Sequence, residues 1–163
     1  APANEAVDYV NMDFVNPFAH DTIYRGPPTP QLEKAWEELW FYELIILDPA
    51  SASNLINQTD NFPEHKDAYP ISLEVYHQLH CLNALRQSLY PDYYNSSHGN
   101  MLKHWNHCVE NLRQAILCHS DIAPITFVHD ARRNQLLPRD SITATCRNFD
   151  SIQKWAAAHQ KDF

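Results

Sequence analysis

Glycine and long apolar runs are scarce in this chain, which has only two glycines among its 163 residues. The longest apolar run, around Leu44 to Leu47, falls far short of the roughly 18 to 20 residues that span a bilayer. A glycine-rich phosphate loop, G-x-S-x-G, H-E-x-x-H and the haem-attachment pattern C-x-x-C-H are all missing. These absences exclude the enzyme classes that the motifs define.

Basic residues are also few and scattered. The chain has 12 Lys and Arg against 20 Asp and Glu, which gives a net charge of -8. Binding to a polyphosphate requires a clustered cationic face, so nucleic acid is not expected as a partner.

The length predicts one domain spanning 1–163, with enough residues to bury an ordinary core. Residues 1–30 lack a sustained period and predict an extended N-terminal arm packed over the domain. Thr29-Pro30 resembles a helix start, and helical spacing continues towards Asp48-Pro49. Further helices are predicted from about Ser72 to Pro91 and from about Asn100 to Cys118, with the polar segment 51–70 as a surface loop.

The C-terminal quarter has a different pattern. The β-branched stretches Ile125 to Val128 and Ser141 to Cys146 predict a small two-stranded ribbon. Asp150 with Gln153 three residues later reads as a capping box that opens a last short helix. The predicted fold class is therefore mainly α: a bundle-like single domain with two metal-binding helices, long loops and a small β-ribbon.

An eleven-residue segment is repeated within the chain. The segment that starts at His77, HQLHCLNALRQ, recurs 27 positions later as HWNHCVENLRQ, with six of eleven positions identical. On a helix, residues three apart project from one face. If the two helices pack antiparallel through these faces, four imidazoles converge, as in the metal sites of helical bundles. The predicted ligands are His77, His80, His104 and His107. The alternative is a repeated structural helix whose histidines only satisfy one another.

The donor set favours copper first and zinc second, because imidazole suits both metals and no carboxylate is repeated. Glu74 lies one turn before His77, but its counterpart is Met101. Glu74 is a candidate for proton transfer or for supporting a ligand, and Trp105, between two proposed ligands, is a candidate wall of the pocket. The spacing leaves open whether one ion binds all four histidines or two ions bind two each.

The four cysteines admit two interpretations. As disulfides, equivalent placement on facing helices favours Cys81 with Cys108, which leaves Cys118 with Cys146. As ligands, Cys81 and Cys108 would each complete a His2Cys set on its own helix, which is typical of zinc. The sequons at Asn57 and Asn95 predict N-glycans, and together with the even cysteine count they favour an oxidising lumen.

Two HxxHC motifs are the signature of the UstYa-like proteins of fungal secondary metabolism, and this chain resembles them over about residues 31–160. The run from Pro70 to Asn83, the motif from His104 to Cys108, and the stretch that starts at Cys146 carry the resemblance. Both motifs are intact. The resemblance implies an N-terminal membrane anchor upstream of this chain and a catalytic domain that faces the lumen of the secretory pathway.

The resemblance also implies oxidative tailoring of a peptide or another natural product, by hydroxylation, desaturation, oxidative cyclisation or halogenation. The expected cofactor is one or two copper ions. The expected partners are the small-molecule or peptide substrate, dioxygen or peroxide, and related chains in a homo- or hetero-oligomer. Two other functions stay open: a metal-independent cyclase or isomerase of the same pathways, and a zinc- or disulfide-stabilised binding module.

Overall fold

The computed structural model describes residues 1–15, 21–94, 98–139 and 141–160. Helices account for 47% of the described residues and strands for 20%, in small sheets. The fold is therefore mixed α/β, and the prediction of a mainly α bundle is only partly right. The strands were underestimated because four of them are only three or four residues long, and the longest pair joins Tyr9–Val15 to the distant Ser141–Arg147, which local periodicity does not reveal.

The helices follow one another along the whole chain. They comprise an N-terminal 3-10 helix Pro2–Ala6, α1 Pro30–Trp40, α2 Pro49–Ser53, α3 Glu74–Ser88, α4 Pro91–Tyr94, α5 His98–His119 and α6 Phe149–Ala158. Helix α1 begins as predicted, because the hydroxyl of Thr29 accepts a hydrogen bond from the Leu32 backbone at 3.1 Å. It ends at Trp40, earlier than predicted.

The strands form three antiparallel pairs. Strand β1 Tyr9–Val15 pairs with β6 Ser141–Arg147, β2 Ile45–Leu47 with β3 Tyr69–Ile71, and β4 Phe127–Asp130 with β5 Gln135–Pro138. Both predicted ribbon segments contain strands, but the prediction that they pair with each other is wrong. Part of the predicted arm, β1, takes that place beside β6. The predicted loop 51–70 likewise contains the end of α2 and the start of β3.

Helix α6 corrects the predicted capping box. The helix begins at Phe149, with Asn148 as its N-cap, so Asp150 already lies within the first turn. Asn148 does not cap the helix with its side chain. Its amide instead donates to the Asp8 carboxylate at 3.2 Å, and its backbone N–H donates to the Asp8 carbonyl at 2.9 Å. The start of α6 is therefore fixed by the segment before β1.

Two buried clusters meet at α3. The larger joins the N-terminal 3-10 helix, β2, α2 and α6, and it contains Ile45, Leu47 and the fully buried Tyr76. Burying one such aliphatic side chain stabilises the fold by about 1.5–3 kcal/mol. The smaller cluster contains Cys81 and Cys108, between α3 and α5. Helix α3 therefore connects the main core to the repeated motif. Across the described residues, no helix is long and apolar enough to cross a membrane.

Candidate metal centre

The two repeated segments lie on α3 and α5, which pack against each other. His77 faces His107 with ring centroids 5.4 Å apart, and His80 faces His104 at 5.8 Å. The first histidine of one motif therefore meets the second histidine of the other, as antiparallel packing requires. The structure brings all four predicted ligands to one contact between two helices.

Local two-fold pseudosymmetry relates the two halves of this contact. Exchanging the repeats turns the pair His77 and His107 into the pair His104 and His80. Exposure follows the same exchange: His77 and His104 are half-buried, whereas His80 and His107 are exposed. The repeat is therefore a repeat in three dimensions as well as in sequence.

The cysteines lie where the two halves meet. Cys81 and Cys108 occupy equivalent positions in the two motifs, and both are fully buried within one cluster. Leu85 and Leu112, which the repeat also relates, pack against them. The contact thus has a buried centre of sulfur and aliphatic carbon, with histidines on its surface side.

Side chains converge most closely at His77 and His107. Their Nε2 atoms are 3.3 Å apart, and one ligand atom from each histidine and the Cys81 sulfur lie within 4.8 Å of one another. On its other ring edge, the Nδ1 atom of His77 is 3.7 Å from a Glu74 carboxylate oxygen and 3.5 Å from the Asn111 amide nitrogen. Sequence analysis missed Asn111, although it differs from Ala84 at the equivalent position of the repeat.

The other pair of histidines has an aromatic neighbour. The ring of Trp40, at the end of α1, meets His80 edge-on, with centroids 5.9 Å apart. Sequence analysis placed Trp40 on the first helix but not beside the histidines, because the packing of α1 on α3 is a long-range contact. Trp105, the predicted wall, is half-buried on α5, and its role in a pocket stays a prediction.

The geometry and chemistry of this cluster fit a metal ion. A tetrahedral ion that binds two imidazole nitrogens at about 2.0–2.1 Å holds them roughly 3.3 Å apart. The Nε2 atoms of His77 and His107 already have this separation. Imidazole suits copper and zinc, and the nearby Cys81 sulfur is a donor that Cu(I) and zinc bind once the thiol has lost its proton. Because two of the four histidines, His80 and His107, are exposed, the site is open to solvent.

Comparison with known proteins identifies the family of this chain. The family model described as "Mycotoxin biosynthesis protein UstYa" matches residues 1–159. The chain belongs to the UstYa family. The family match extends to residues 1–30, beyond the region over which the sequence motifs carried the resemblance.

Several curated fungal proteins are similar over most of the chain. The UstYa family oxidase phomYc of Diaporthe leptostromiformis is 36% identical over 91% of this chain and 64% of its own length. The transacylase cctO of Talaromyces islandicus is 28% identical over 97% of this chain and 59% of its own length. The UstYa family oxidase aprY of Aspergillus flavus is 30% identical over 86% of this chain and 48% of its own length. The chain thus spans less than two thirds of these relatives. No solved structure matches it.

All four cysteines are free thiols in the structure, so neither predicted disulfide is present in it. Burial, and next the adjacent Cys108 thiol, raise the pKa of Cys81 to about 12. The contact leaves a Cys81–Cys108 bridge as a prediction for the oxidised protein. Cys118 is exposed near the end of α5, whereas Cys146 is half-buried in β6. These two lie on separate elements, and their pairing stays an untested prediction.

Arg86 anchors α1 to the metal-site helix α3. Its guanidinium donates to both carboxylate oxygens of Glu33, at 2.9 and 3.0 Å, and to the Tyr94 hydroxyl at 2.7 Å. The hydrogen bond from Arg86 is the main reason why the pKa of Glu33 lies below its ordinary value. Arg113, the equivalent residue on α5, forms only an exposed pair with Glu110. Both arginines have the ion-pair role that their position opposite the histidines favours.

One of the two predicted glycosylation sites lies among the described residues. Asn57 is exposed in the segment after α2, and Asn95 lies outside the described residues. A cavity of about 610 Å³ opens near Asn57, lined by residues such as Glu5, Ile46 and Trp155. None of the four histidines lines it. The cavity is therefore separate from the metal centre, and the chemistry of the histidines points to the α3–α5 surface.

Proposed function

We propose that this domain is a copper-dependent oxidase or oxygenase that tailors a fungal natural product by C–H functionalisation. The observation that carries the proposal is the cluster of four motif histidines, with the Nε2 atoms of His77 and His107 at the separation that a shared ion requires. Relatives that are named UstYa family oxidases support the oxidative class.

The chain's own residues would bind and orient the metal. The ligands would be His77, His80, His104 and His107. A bound copper ion would supply the one-electron and oxygen chemistry that protein side chains lack. Glu74 lies beside the Nδ1 edge of His77, away from His107, and would support this ligand.

The site's openness is consistent with a peptide or another extended product as substrate. His80 and His107 are exposed at the α3–α5 surface. A substrate of that size would itself cover the histidines and exclude water from them. The exposed sequon at Asn57 supports a location in the lumen of the secretory pathway, and an upstream membrane anchor is part of the same proposal.

A non-redox function is the second candidate, and one comparison favours it. The relative named transacylase cctO is similar over 97% of the chain, so similarity over this domain does not fix oxidation as the reaction. A metal-independent cyclase, isomerase or transferase would act without oxygen and after chelation. A binding module would contain zinc or no metal and show no turnover.

The test is oxygen-dependent turnover by the purified domain. Copper-loaded protein is offered a panel of peptide and polyketide precursors in air and under nitrogen, and products are examined by mass spectrometry. The proposal expects a product that has lost hydrogen or gained oxygen, formed only in air and abolished by a chelator and by His77→Ala. A product formed equally under nitrogen and with chelator would replace it with the non-redox candidate.

A further inference from the structure

The two halves of the centre have different chemical surroundings despite their pseudosymmetry. On the Nδ1 side of His77 lie the Glu74 carboxylate at 3.7 Å and the Asn111 amide at 3.5 Å. Both are polar groups on the ring edge that faces away from His107. The His77–His107 half therefore has polar support behind one of its ligands.

The equivalent positions beside His104 are apolar. The repeat offset of 27 places Met101 where the first half has Glu74, and Ala84 where it has Asn111. Ala84 is buried, and it cannot provide a hydrogen bond from its side chain. The aromatic edge of Trp40 lies against His80 in this half. The His80–His104 half therefore lacks both polar neighbours.

Metal binding requires one particular tautomer of the imidazole, and the His77–His107 half has a group that can stabilise it. A neutral imidazole that binds an ion through Nε2 carries its proton on Nδ1, and that N–H is held by an acceptor oxygen in most metal sites. Glu74 offers a carboxylate oxygen near Nδ1 of His77. Fixing this tautomer directs the Nε2 lone pair towards His107.

Asn111 has a side-chain oxygen, without a partner in the described part of the chain, that could accept the same hydrogen bond from His77. Its Oδ1 atom is buried and has no hydrogen-bond partner among the described residues, while its amide nitrogen is the atom near His77. A buried acceptor without a partner costs about 1–3 kcal/mol. Rotating the side-chain amide by 180° exchanges the two atoms. The oxygen then lies beside Nδ1 of His77, which carries the proton when Nε2 binds a metal. The Asn111 side chain is thus arranged for the metal-bound form of His77.

We propose that Glu74 and Asn111 are positioning residues that make the His77–His107 half bind a metal ion more tightly than the His80–His104 half. Cys81 adds to the difference, because its sulfur lies with the ligand atoms of His77 and His107. The inference rests on the proposed metal centre, and it adds an order of loading: the first equivalent of metal enters the half that Glu74 and Asn111 support.

The test titrates the reduced, metal-free domain with Co²⁺, which is not redox-active here and whose visible absorption reports its coordination. The inference expects two binding steps, with the tighter one lost in His77→Ala and the weaker one lost in His104→Ala. Removing a group that orients a metal ligand lowers affinity about 10- to 100-fold. Asn111→Leu and Glu74→Met should each weaken the tight step by that factor and leave the weak step unchanged.

Two further variants separate orientation from packing. Asn111→Asp keeps an acceptor oxygen and should retain tight binding. Asn111→Leu keeps a side chain of similar size but removes the oxygen, so its loss of affinity reports orientation rather than packing. The double variant Glu74→Met/Asn111→Ala gives both halves the same residues at these two positions and should reduce the difference between the two affinities. Asn106→Leu, an exposed change on the same helix, is the control and should match the unmodified domain.

The outcomes distinguish this inference from the proposed function. Two steps of equal affinity in the unmodified domain, or a tight step that Asn111→Leu and Glu74→Met leave intact, would overturn the inference while the metal centre stands. If the unmodified domain binds no Co²⁺, the metal centre itself is wrong, and the inference is wrong with it. Circular dichroism of each variant tests whether a loss of metal affinity is caused by unfolding.

Discussion

His77 and His107 face each other across the α3–α5 contact with their Nε2 atoms 3.3 Å apart, although 30 positions separate them in the chain. Their meeting requires the two repeated helices to run antiparallel in one register. That register also brings His80 to His104 and buries Cys81 against Cys108. One packing arrangement therefore accounts for every repeated chemical group in the two motifs.

Arg86 should contribute more to stability than its repeat equivalent Arg113. The side chain of Arg86 is only 9% exposed. Removing it leaves the Glu33 carboxylate without its ion-pair partner in a partly buried site. Arg86→Met should lower the free energy of unfolding by about 3 kcal/mol, measured by urea denaturation. Arg113→Met is the matched control, because its pair with Glu110 is exposed, and it should cause no measurable change. Equal changes in the two variants would contradict the larger contribution of the buried pair, and no loss in Arg86→Met would show that this pair does not stabilise the fold.

The same ion pair predicts a loss of stability in acid. The hydrogen bond from Arg86 lowers the pKa of Glu33 from 4.5, so the folded state favours the ionised carboxylate. The resulting stabilisation is fully present above pH 4.5 and is lost as the pH falls through the lower, folded-state pKa. Urea midpoints measured from neutral pH downwards should fall less steeply in Glu33→Gln than in the unmodified domain. Parallel curves would contradict this origin.

Tyr76 should tolerate loss of its hydroxyl. The side chain is fully buried in the larger core cluster, and its oxygen has no hydrogen-bond partner among the described residues. Burial is also the main reason why its pKa is raised to about 12. Tyr76→Phe removes an unpaired polar atom. The free energy of unfolding should stay unchanged or rise by up to about 1 kcal/mol, which thermal denaturation measures. A loss of more than that amount would show that the hydroxyl has a partner.

Oxidation should link Cys81 to Cys108. The two thiols are buried side by side, and their contact contributes to the raised pKa of Cys81. Incubation with oxidised glutathione, which is reduced as the bond forms, should yield a Cys81–Cys108 disulfide in a non-reduced peptide map. Exposed Cys118 should react with iodoacetamide in the folded protein before either buried thiol. Alkylation of Cys81 after oxidation and unfolding would contradict the bridge.

The sequence predicts the two motif helices well, because both have helical spacing and each contains the same run of residues. Antiparallel packing then follows from placing the two histidine faces together. The sequence does not reveal which side chains from elsewhere complete the surroundings. Trp40 reaches His80 only because α1 packs on α3, and the Arg86–Glu33 ion pair, between positions 53 apart, joins the same two helices.

The strands are predicted poorly for a related physical reason. Strand β6 has the β-branched composition of a strand, but its partner β1 lies more than 120 positions earlier. Pairing over that distance depends on the folded core and leaves no local pattern. Asn111 is different, because its mismatch with Ala84 within the repeat is visible in the sequence. Comparing the two motifs position by position would have identified it.

The most direct test of the account is the metal content of protein purified without chelators or metal-affinity resin, measured by elemental analysis. The account predicts one or two copper ions per chain, with copper lost in His77→Ala and in His107→Ala. The exposed variant Asn106→Leu should retain the metal and controls for the effect of mutation itself. Zinc in place of copper, or no metal even after copper is offered to the folded domain, would contradict the proposed oxidase.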